Sequence, residues 1–361
     1  MRGMGNLCGG RRVSTACLPK GRRSARPCAT APNGHDRLTE MNYRGLPIDE
    51  LDWTTLLAQV IAQKCTPFIG AGAAFGCLPL GRDLAEALIG HDERETGKKC
   101  PLQNRGDLQK ASQYLAVVHR EGDWPKRKIA ELISPVDNPV FAAQDEPHNA
   151  LANLRLPVYL TTNYDHFMHN ALSRIPGVRP RIEFSRWTED LMETQTSTFD
   201  HGYEPSQSDP VVFHLHGHAG CPESLVVSED DYLDFIVRTS KEWTTSPTGV
   251  GQRSILPPRI RAAIRSSTLL FVGYSLEDVN FRLILRSLVG SVAPSSRRTS
   301  IAIQYSDDKP EELQNYLAQY FNWSLNLAVY FGSPFDFAAK LNKEWSAYYE
   351  RRRTSAGPIL R

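Results

Sequence analysis

The chain has 361 residues, of which 41% are hydrophobic and 23% charged. This composition is typical of globular proteins and excludes a disordered protein. Its formal net charge of +2 predicts no polyanionic partner. The sequence has no run of the roughly 18 apolar residues that a membrane-spanning helix needs, so we expect a soluble, cytoplasmic protein.

The first 40 residues differ in charge from the rest of the chain. They hold eight basic and two acidic side chains, so the remaining residues carry a net charge of −4. Because this basic segment lacks apolar periodicity, residues 1–40 are predicted to be a disordered tail or an over-long start, with Met41 as the alternative first residue. A transit peptide is the other interpretation. The seven scattered cysteines, without a CxxC pair, favour a reducing compartment and no disulfide framework.

From about residue 47, helix and strand patterns alternate along the chain. Residues 47–63 have helical spacing, with Asp49 as the expected N-cap. Four apolar strands end in small or polar residues: CTPFIGAGAA (65–74), PVYLTTNYD (157–165), PVVFHLHG (210–217) and TLLFVGYS (268–275). Further strand patterns at TSIAIQY (299–305) and LNLAVYFG (325–332) continue the alternation.

This alternation predicts an α/β fold with a parallel sheet covered by helices on both faces. Ligands of such sheets bind beyond the carboxyl ends of the strands, where the small and polar residues stand. The helical stretch at about 91–150 and the irregular segment at 175–209, with strand fragments around RIEFS, are predicted to be insertions that form a smaller helical cap. The main domain is expected to span 41–352, with 353–361 as a tail.

The glycines of FIGAGAAFG (68–76) allow a backbone to approach a diphosphate, and a following helix would offer its N-terminal amides. A plain tight turn explains them equally well. In TTNYD, Asn163 can hold a water or a ribose hydroxyl, whereas Asp165 is either a site residue or the cap of the next helix. After the fourth strand, Gly273 and Ser275 could meet an adenosine ribose.

The stretch FHLHGHAG (213–220) carries three histidines at alternate positions. Strand alternation predicts that His214 and His216 share one face of the sheet. His216 ends the strand, and an imidazole that titrates near neutrality suits a general base. His214 and His218 are expected to be supporting or surface residues. A metal site is the alternative, although no second cluster of ligands accompanies the triplet.

Together, GAG (70–72), TTNYD (161–165), HLHG (214–217) and GYSLEDVNFR (273–282) resemble the sirtuin-like domain. They are most similar to its bacterial branch that hydrolyses NAD in anti-phage defence, over about residues 50–345. The resemblance implies a Rossmann-like domain with NAD as its substrate and no metal. It implies catalytic roles for His216, Asn163 and Asp165. It implies cofactor binding by Gly70, Ala71, Gly72, Thr162, Gly217, Gly273, Ser275 and Asp278.

The sequence departs from the deacylase sirtuins at two points. Residues 166–213 contain no cysteine, so the four-cysteine zinc module of those enzymes is missing. The cofactor loop that follows their GAG motif is replaced by CLPLGRDL (77–84), in which Arg82 is only a loose counterpart. These departures favour water over an acyl-lysine peptide as the acceptor.

The resemblance therefore predicts an NAD glycohydrolase that releases nicotinamide and ADP-ribose. An NAD-dependent deacylase, a non-catalytic sensor of NAD or ADP-ribose and a metal-dependent hydrolase are the alternatives. An enzyme of this kind must be gated in resting cells, and the chain ends soon after its last helix, so we expect regulation in trans. The expected partners are further copies of the chain and, by resemblance, a HerA-type DNA-translocating ATPase or a short Argonaute.

Overall fold

A computed structural model describes residues 45–244, 254–289, 298–305 and 310–355. Within these residues, eight strands form one sheet: β1 Leu46–Pro47, β2 Cys65–Ile69, β3 Val158–Thr161, β4 Arg181–Phe184, β5 Val211–His214, β6 Thr268–Val272, β7 Ser300–Gln304 and β8 Leu327–Phe331. The strand order is β1-β8-β7-β6-β2-β3-β5-β4, and every pairing is parallel. The predicted parallel α/β sheet is confirmed.

Twelve helices accompany the sheet in the described residues: α1 Trp53–Ile61, α2 Gly81–Thr96, α3 Leu108–His119, α4 Trp124–Ile133, α5 Pro147–Ala152, α6 Phe167–Ser173, α7 Glu189–Thr194, α8 Glu229–Thr244, α9 Pro258–Ser266, α10 Val279–Val289, α11 Glu311–Leu325 and α12 Pro334–Ser355. One apolar core joins the sheet to α1, α5, α6 and α12, and another joins it to α8, α9, α10 and α11. Successive side chains such as Phe68 and Ile69 enter opposite cores, so the central strands β2, β3, β5 and β6 are buried on both faces.

A third apolar cluster lies among α2, α3 and α4. It includes Ala219, Leu225 and Val227, which belong to the chain that follows β5. The ammonium group of Lys126 on α4 is buried and lies 3.2 Å from the carboxylate of Asp231 on α8. These contacts attach the helices of the predicted 91–150 insertion to the segment next to the HLHG motif. The domain boundaries themselves stay a prediction.

Residues 175–209 take part in the main sheet. Strand β4 pairs with β5, with Ile182 opposite Val212, and forms the edge of the sheet. The buried carboxylate of Glu183 accepts hydrogen bonds from the side chain of Ser197 and the backbone of Thr198. This segment, predicted as part of a helical cap, therefore combines an edge strand with short helices.

The first helix begins later than the sequence pattern indicated. Asp52, and not Asp49, caps α1, because its carboxylate accepts the backbone N–H of Thr55 at 3.0 Å. Residues Ile48–Glu50 form a 3-10 turn after β1, whose pairing with β8 holds the preceding residues extended. The prediction for residues 1–40 and most of the predicted tail lie outside the described residues. No described helix is long and apolar enough to cross a bilayer.

Tyr159, fully buried on β3, tests how much the sheet depends on a buried hydroxyl. Its hydroxyl accepts the backbone N–H of Leu156 at 2.9 Å and donates to the carbonyl of Leu151 at 3.3 Å. Tyr159→Phe is expected to lower the free energy of unfolding by about 1–3 kcal/mol, because a buried N–H loses its acceptor. Urea denaturation measures the change. The control Tyr316→Phe, at an exposed tyrosine, should change it by less than about 0.5 kcal/mol; equal losses would contradict the expectation.

Candidate active site

A cavity of about 770 Å³ lies at the carboxyl ends of β6, β2, β3 and β5, which are neighbours in the sheet. The chain order runs outward in opposite directions from β2 and β6, and open α/β sheets bind ligands at such a point. Nine of the predicted site residues line the cavity: Ala71, Gly72, Thr162, Asn163, Asp165, His216, Gly273, Ser275 and Asp278. The four motifs are therefore brought to one place.

Glycines let the ends of β2 and β6 pack backbone against backbone. The N–H of Gly70 donates to the carbonyl of Val272 and that of Gly72 to the carbonyl of Gly273, both at 2.9 Å. Gly273 has a φ of +82°, and a Cβ there would lie 2.4 Å from the backbone nitrogen of Ala73. Gly70 is outside the cavity lining, so the structure gives it a packing role, whereas Gly72 and Gly273 face the cavity.

A short segment separates the GAG motif from the helix that follows it. Residues Ala71–Ala74 form a 3-10 turn, and α2 begins only at Gly81. Leu80, Gly81 and Leu84 nevertheless line the cavity, so the start of α2 lies beside it. The intervening segment closes one side of the cavity with apolar residues.

Asn163 and Asp165 are fixed by hydrogen bonds in the loop after β3. The side-chain amide of Asn163 donates to the carbonyl of Gly70 at 3.2 Å, which leaves its oxygen as the acceptor available to a ligand. The carboxylate of Asp165 accepts the backbone N–H of Phe167 at 2.8 Å, at the start of α6. The N-cap position of α6 is His166, so Asp165 bonds the first N–H of the helix from one residue before the cap, and it also lines the cavity.

His216 lines the cavity from a buried position and is 2% exposed. Its ring packs edge-on against Tyr232 and Phe235 of α8, and its Nε2 has no hydrogen-bond partner in the described structure. Burial lowers the pKa of His216 to about 3, so the imidazole is neutral at physiological pH. The expectation that His216 titrates near neutrality is wrong, because the apolar surroundings disfavour its charged form.

The other two histidines of the triplet have different surroundings. Strand β5 ends at His214, and the chain then turns, so His214 and His216 do not contact the same neighbours. His214 Nδ1 lies 2.8 Å from the carbonyl oxygen of Asn163, and His218 Nε2 lies 2.9 Å from His166 Nδ1. Sequence alternation failed here because the strand is shorter than the pattern suggested.

In the described part of the chain, no group of three or more histidine, cysteine, aspartate or glutamate side chains is arranged to hold a metal ion. The outer histidines contact backbone or another imidazole. The structure therefore gives no support to the metal interpretation of the triplet.

The cavity is also lined by several aromatic and polar residues that the sequence analysis did not identify: Tyr164, Tyr232, Tyr274, Gln304, Tyr305 and Phe335. The hydroxyl of Tyr274 donates to the carbonyl of Ile69 and lies 2.9 Å from the hydroxyl of Thr162. The side-chain oxygen of Gln304 accepts the backbone N–H of Leu276 at 2.7 Å, which holds the loop after β6. Tyr274 and Gln304 stand at the ends of β6 and β7, and this position is the signal that could have identified them.

Residues 157–323 match the family model described as a SIR2-like domain. Three of the four motifs fall inside this range, so the resemblance to the sirtuin-like domain is confirmed there. The protein named NAD(+) hydrolase ThsA from Bacillus cereus (strain MSX-D12) is 25% identical over 274 residues, which is 74% of this chain and 49% of the relative.

A second protein of the same name, from Cytobacillus dafuensis, is 26% identical over 60% of this chain and 36% of its own length. The chain thus spans about half the length, or less, of these curated relatives. The solved structure of Sir2Tm bound to a propionylated peptide aligns with 82% of this chain and 99% of its own, at 13% identity and a TM-score of 0.34.

Gly217, predicted to contact the cofactor, lies outside the cavity lining and forms the turn after β5. Its φ is +84°, and a Cβ would lie 2.2 Å from the carbonyl oxygen of Ser224. Gly217→Ala is expected to cost about 3 kcal/mol of stability, because the strained φ and the clash add. Gly177 has a φ of +79° with open space around it, so Gly177→Ala should cost only about 1 kcal/mol. Equal losses in urea denaturation would show that Ser224 does not constrain the turn.

The buried histidines make stability depend on pH. Burial lowers the pKa of His214 to about 4, that of His216 to about 3 and that of His218 to about 2. An unfolded histidine titrates near about pH 6.5, so below that pH the unfolded chain binds protons that the folded chain does not. The stability that is present above this pH is therefore lost as the pH falls.

Between about pH 6 and pH 5, the free energy of unfolding should fall by about 1.4 kcal/mol per pH unit for each of these histidines. Urea denaturation at several pH values measures the slope. His216→Phe, which keeps a ring of similar volume, should reduce the slope by about one proton. An unchanged slope in this variant would mean that His216 titrates alike in both states.

Proposed function

We propose that this chain, which carries a SIR2-like domain, is an NAD+ hydrolase that cleaves the nicotinamide–ribose bond and releases nicotinamide and ADP-ribose. The observation that carries the proposal is that Asn163 and His216, from two neighbouring strand ends, line one cavity with Gly72, Gly273 and Ser275. The volume, about 770 Å³, falls within the range of about 300–1,000 Å³ of cofactor pockets. The names of the curated relatives agree with this activity.

In this proposal the two halves of NAD occupy opposite parts of the cavity. The diphosphate and the adenosine ribose lie near Gly72, Gly273 and Ser275, where the backbone offers close approach without side chains. The nicotinamide ribose lies near Asn163 and His216. Because the side-chain nitrogen of Asn163 is bonded to Gly70, its oxygen accepts a hydrogen bond from a ribose hydroxyl or from the attacking water.

The reaction is a hydrolysis through an oxocarbenium-like transition state. The bond between C1′ and the nicotinamide nitrogen breaks, and its electron pair returns to the ring and neutralises the positive charge of the pyridinium. Water adds to C1′ and loses a proton. A water molecule bound to a carbocation is strongly acidic, so even the weakly basic, neutral imidazole of His216 can accept that proton. The carboxylate of Asp165 favours the developing positive charge.

The biological setting is also part of the proposal. The resemblance supports a role in anti-phage defence, in the cytoplasm, by depletion of NAD. It further suggests that the chain assembles with copies of itself and is activated by a HerA-type ATPase or a short Argonaute.

Incubation of the full chain with NAD+ alone, followed by chromatography of the products, tests the activity. Equal amounts of nicotinamide and ADP-ribose are expected. Nicotinamide release that requires an acylated peptide would instead indicate a deacylase, and tight NAD binding without product would indicate a sensor. The assay is repeated with DNA and with candidate activating proteins, so that a gated enzyme is also detected.

Asn163→Ala and His216→Ala should each reduce nicotinamide release by at least about 100-fold, because each removes a group that contacts the reacting ribose or water. Their thermal melts should stay within about 5 °C of the parent. Asn153→Ala and His201→Ala, at exposed positions away from the cavity lining, are the matched controls and should keep parental turnover. Near-parental release by either site variant would contradict the role given to that residue.

A further inference from the structure

The loop that carries Asn163 is held by the segment around His214. The backbone N–H of Leu215 donates to the carbonyl of Thr161 at 2.8 Å, which is the last residue of β3. Asn163 lies beyond the end of β3, and its carbonyl oxygen contacts a side chain: His214 Nδ1 is 2.8 Å away. An imidazole therefore continues the ladder of hydrogen bonds where the sheet has ended.

The chemistry of this contact fixes the tautomer of His214. A carbonyl oxygen only accepts hydrogen bonds, so Nδ1 must carry the hydrogen. Burial lowers the pKa of His214 to about 4, so the ring is neutral and Nε2 is a bare acceptor. This Nε2 is buried and has no hydrogen-bond partner in the described structure. The ring nitrogens of His214 thus make a single hydrogen bond there, and it goes to Asn163.

We propose that His214 is a positioning residue whose Nδ1–H holds the backbone of Asn163, so that the Asn163 side chain stays directed at the reacting ribose. The proposal rests on the proposed function and adds a residue to its machinery. His214 is outside the cavity lining, so it acts through Asn163 and not on the substrate. The Asn163 side chain is held from the other side by the carbonyl of Gly70, at 3.2 Å.

His218 braces the same loop further along. Its Nδ1 accepts the backbone N–H of Gly220 at 3.1 Å, so its Nε2 carries the hydrogen and donates to His166 Nδ1 at 2.9 Å. His166 directly follows Asp165 in the sequence. The two outer histidines of the triplet therefore hold the loop at both ends, while the middle one faces the cavity.

Two substitutions separate the hydrogen bond from the bulk of the ring. Asparagine places an amide N–H at the position of Nδ1, whereas glutamine places it at the position of Nε2. His214→Gln is expected to lower kcat for nicotinamide release about tenfold, with KM changed by less than about twofold, because Asn163 loses its alignment while the NAD contacts persist. His214→Asn is expected to recover most of that loss.

Amide hydrogen exchange of the peptide covering residues 160–168, read by mass spectrometry without NAD, tests the geometry independently of turnover. Exchange in His214→Gln should be about tenfold faster than in the parent, which corresponds to the loss of a hydrogen bond worth about 1.4 kcal/mol. His214→Asn should exchange near the parental rate. His119→Gln, which removes a histidine bonded to Asp92 on α2, is the matched control and should leave this peptide unchanged.

The proposal is supported if exchange and kcat are both restored by asparagine and not by glutamine. It is overturned if His214→Gln matches the parent in exchange, or if the two variants are equally impaired, since the bulk of the ring would then be what matters. A parent that releases no nicotinamide under any condition refutes the proposed function. In that case the exchange comparison still decides whether His214 holds the loop.

Discussion

The candidate site depends on the register of four parallel strands whose last residues pair with one another. Ile69 of β2 is opposite both Thr161 of β3 and Val272 of β6, and Thr161 is opposite His214 of β5. The loops after these strands therefore begin at the same height. A shift of one residue in any pairing would turn its side chains to the opposite face and into the other core, so the two buried cores fix the register. The alignment of the site is a consequence of core packing.

The surroundings of His216 come from parts of the chain that are distant in sequence. Tyr232 and Phe235, which pack against its ring, belong to α8, and the buried Lys126 attaches α8 to α4 through Asp231. The indole N–H of Trp187 donates to the carbonyl of Ser224, in the chain between β5 and α8. Contacts from α4 and from Trp187 thus hold α8 and the chain that precedes it. The apolar environment that keeps the imidazole neutral is built by these long-range contacts.

The sequence was sufficient for the elements whose signal is local. Strands β2, β3, β5 and β6 are largely apolar runs, and the family resemblance carried by the motifs that follow them identified nine residues of the cavity lining. The sequence was insufficient where contacts between distant parts of the chain determine the local structure. Pairing with β8 makes a strand of the two residues Leu46–Pro47, and the capping position moves from Asp49 to Asp52. Tyr232 could not be identified because α8 reaches the cavity only through packing.

Two buried ring nitrogens, Nε2 of His214 and Nε2 of His216, have no hydrogen-bond partner within the described residues, and each such group costs about 1–3 kcal/mol. In the proposed function, the cost at His216 is recovered when a water or ribose hydroxyl enters the cavity that this ring lines. No ligand in that cavity can recover the cost at His214, which lies outside the lining. The free-energy cost of the unpaired Nε2 of His214 is tolerated because the other ring nitrogen, Nδ1, forms the hydrogen bond to the Asn163 carbonyl. The two unpaired nitrogens therefore differ in their surroundings: that of His216 belongs to a ring that lines the cavity, and that of His214 belongs to a ring outside the lining whose other nitrogen bonds to Asn163.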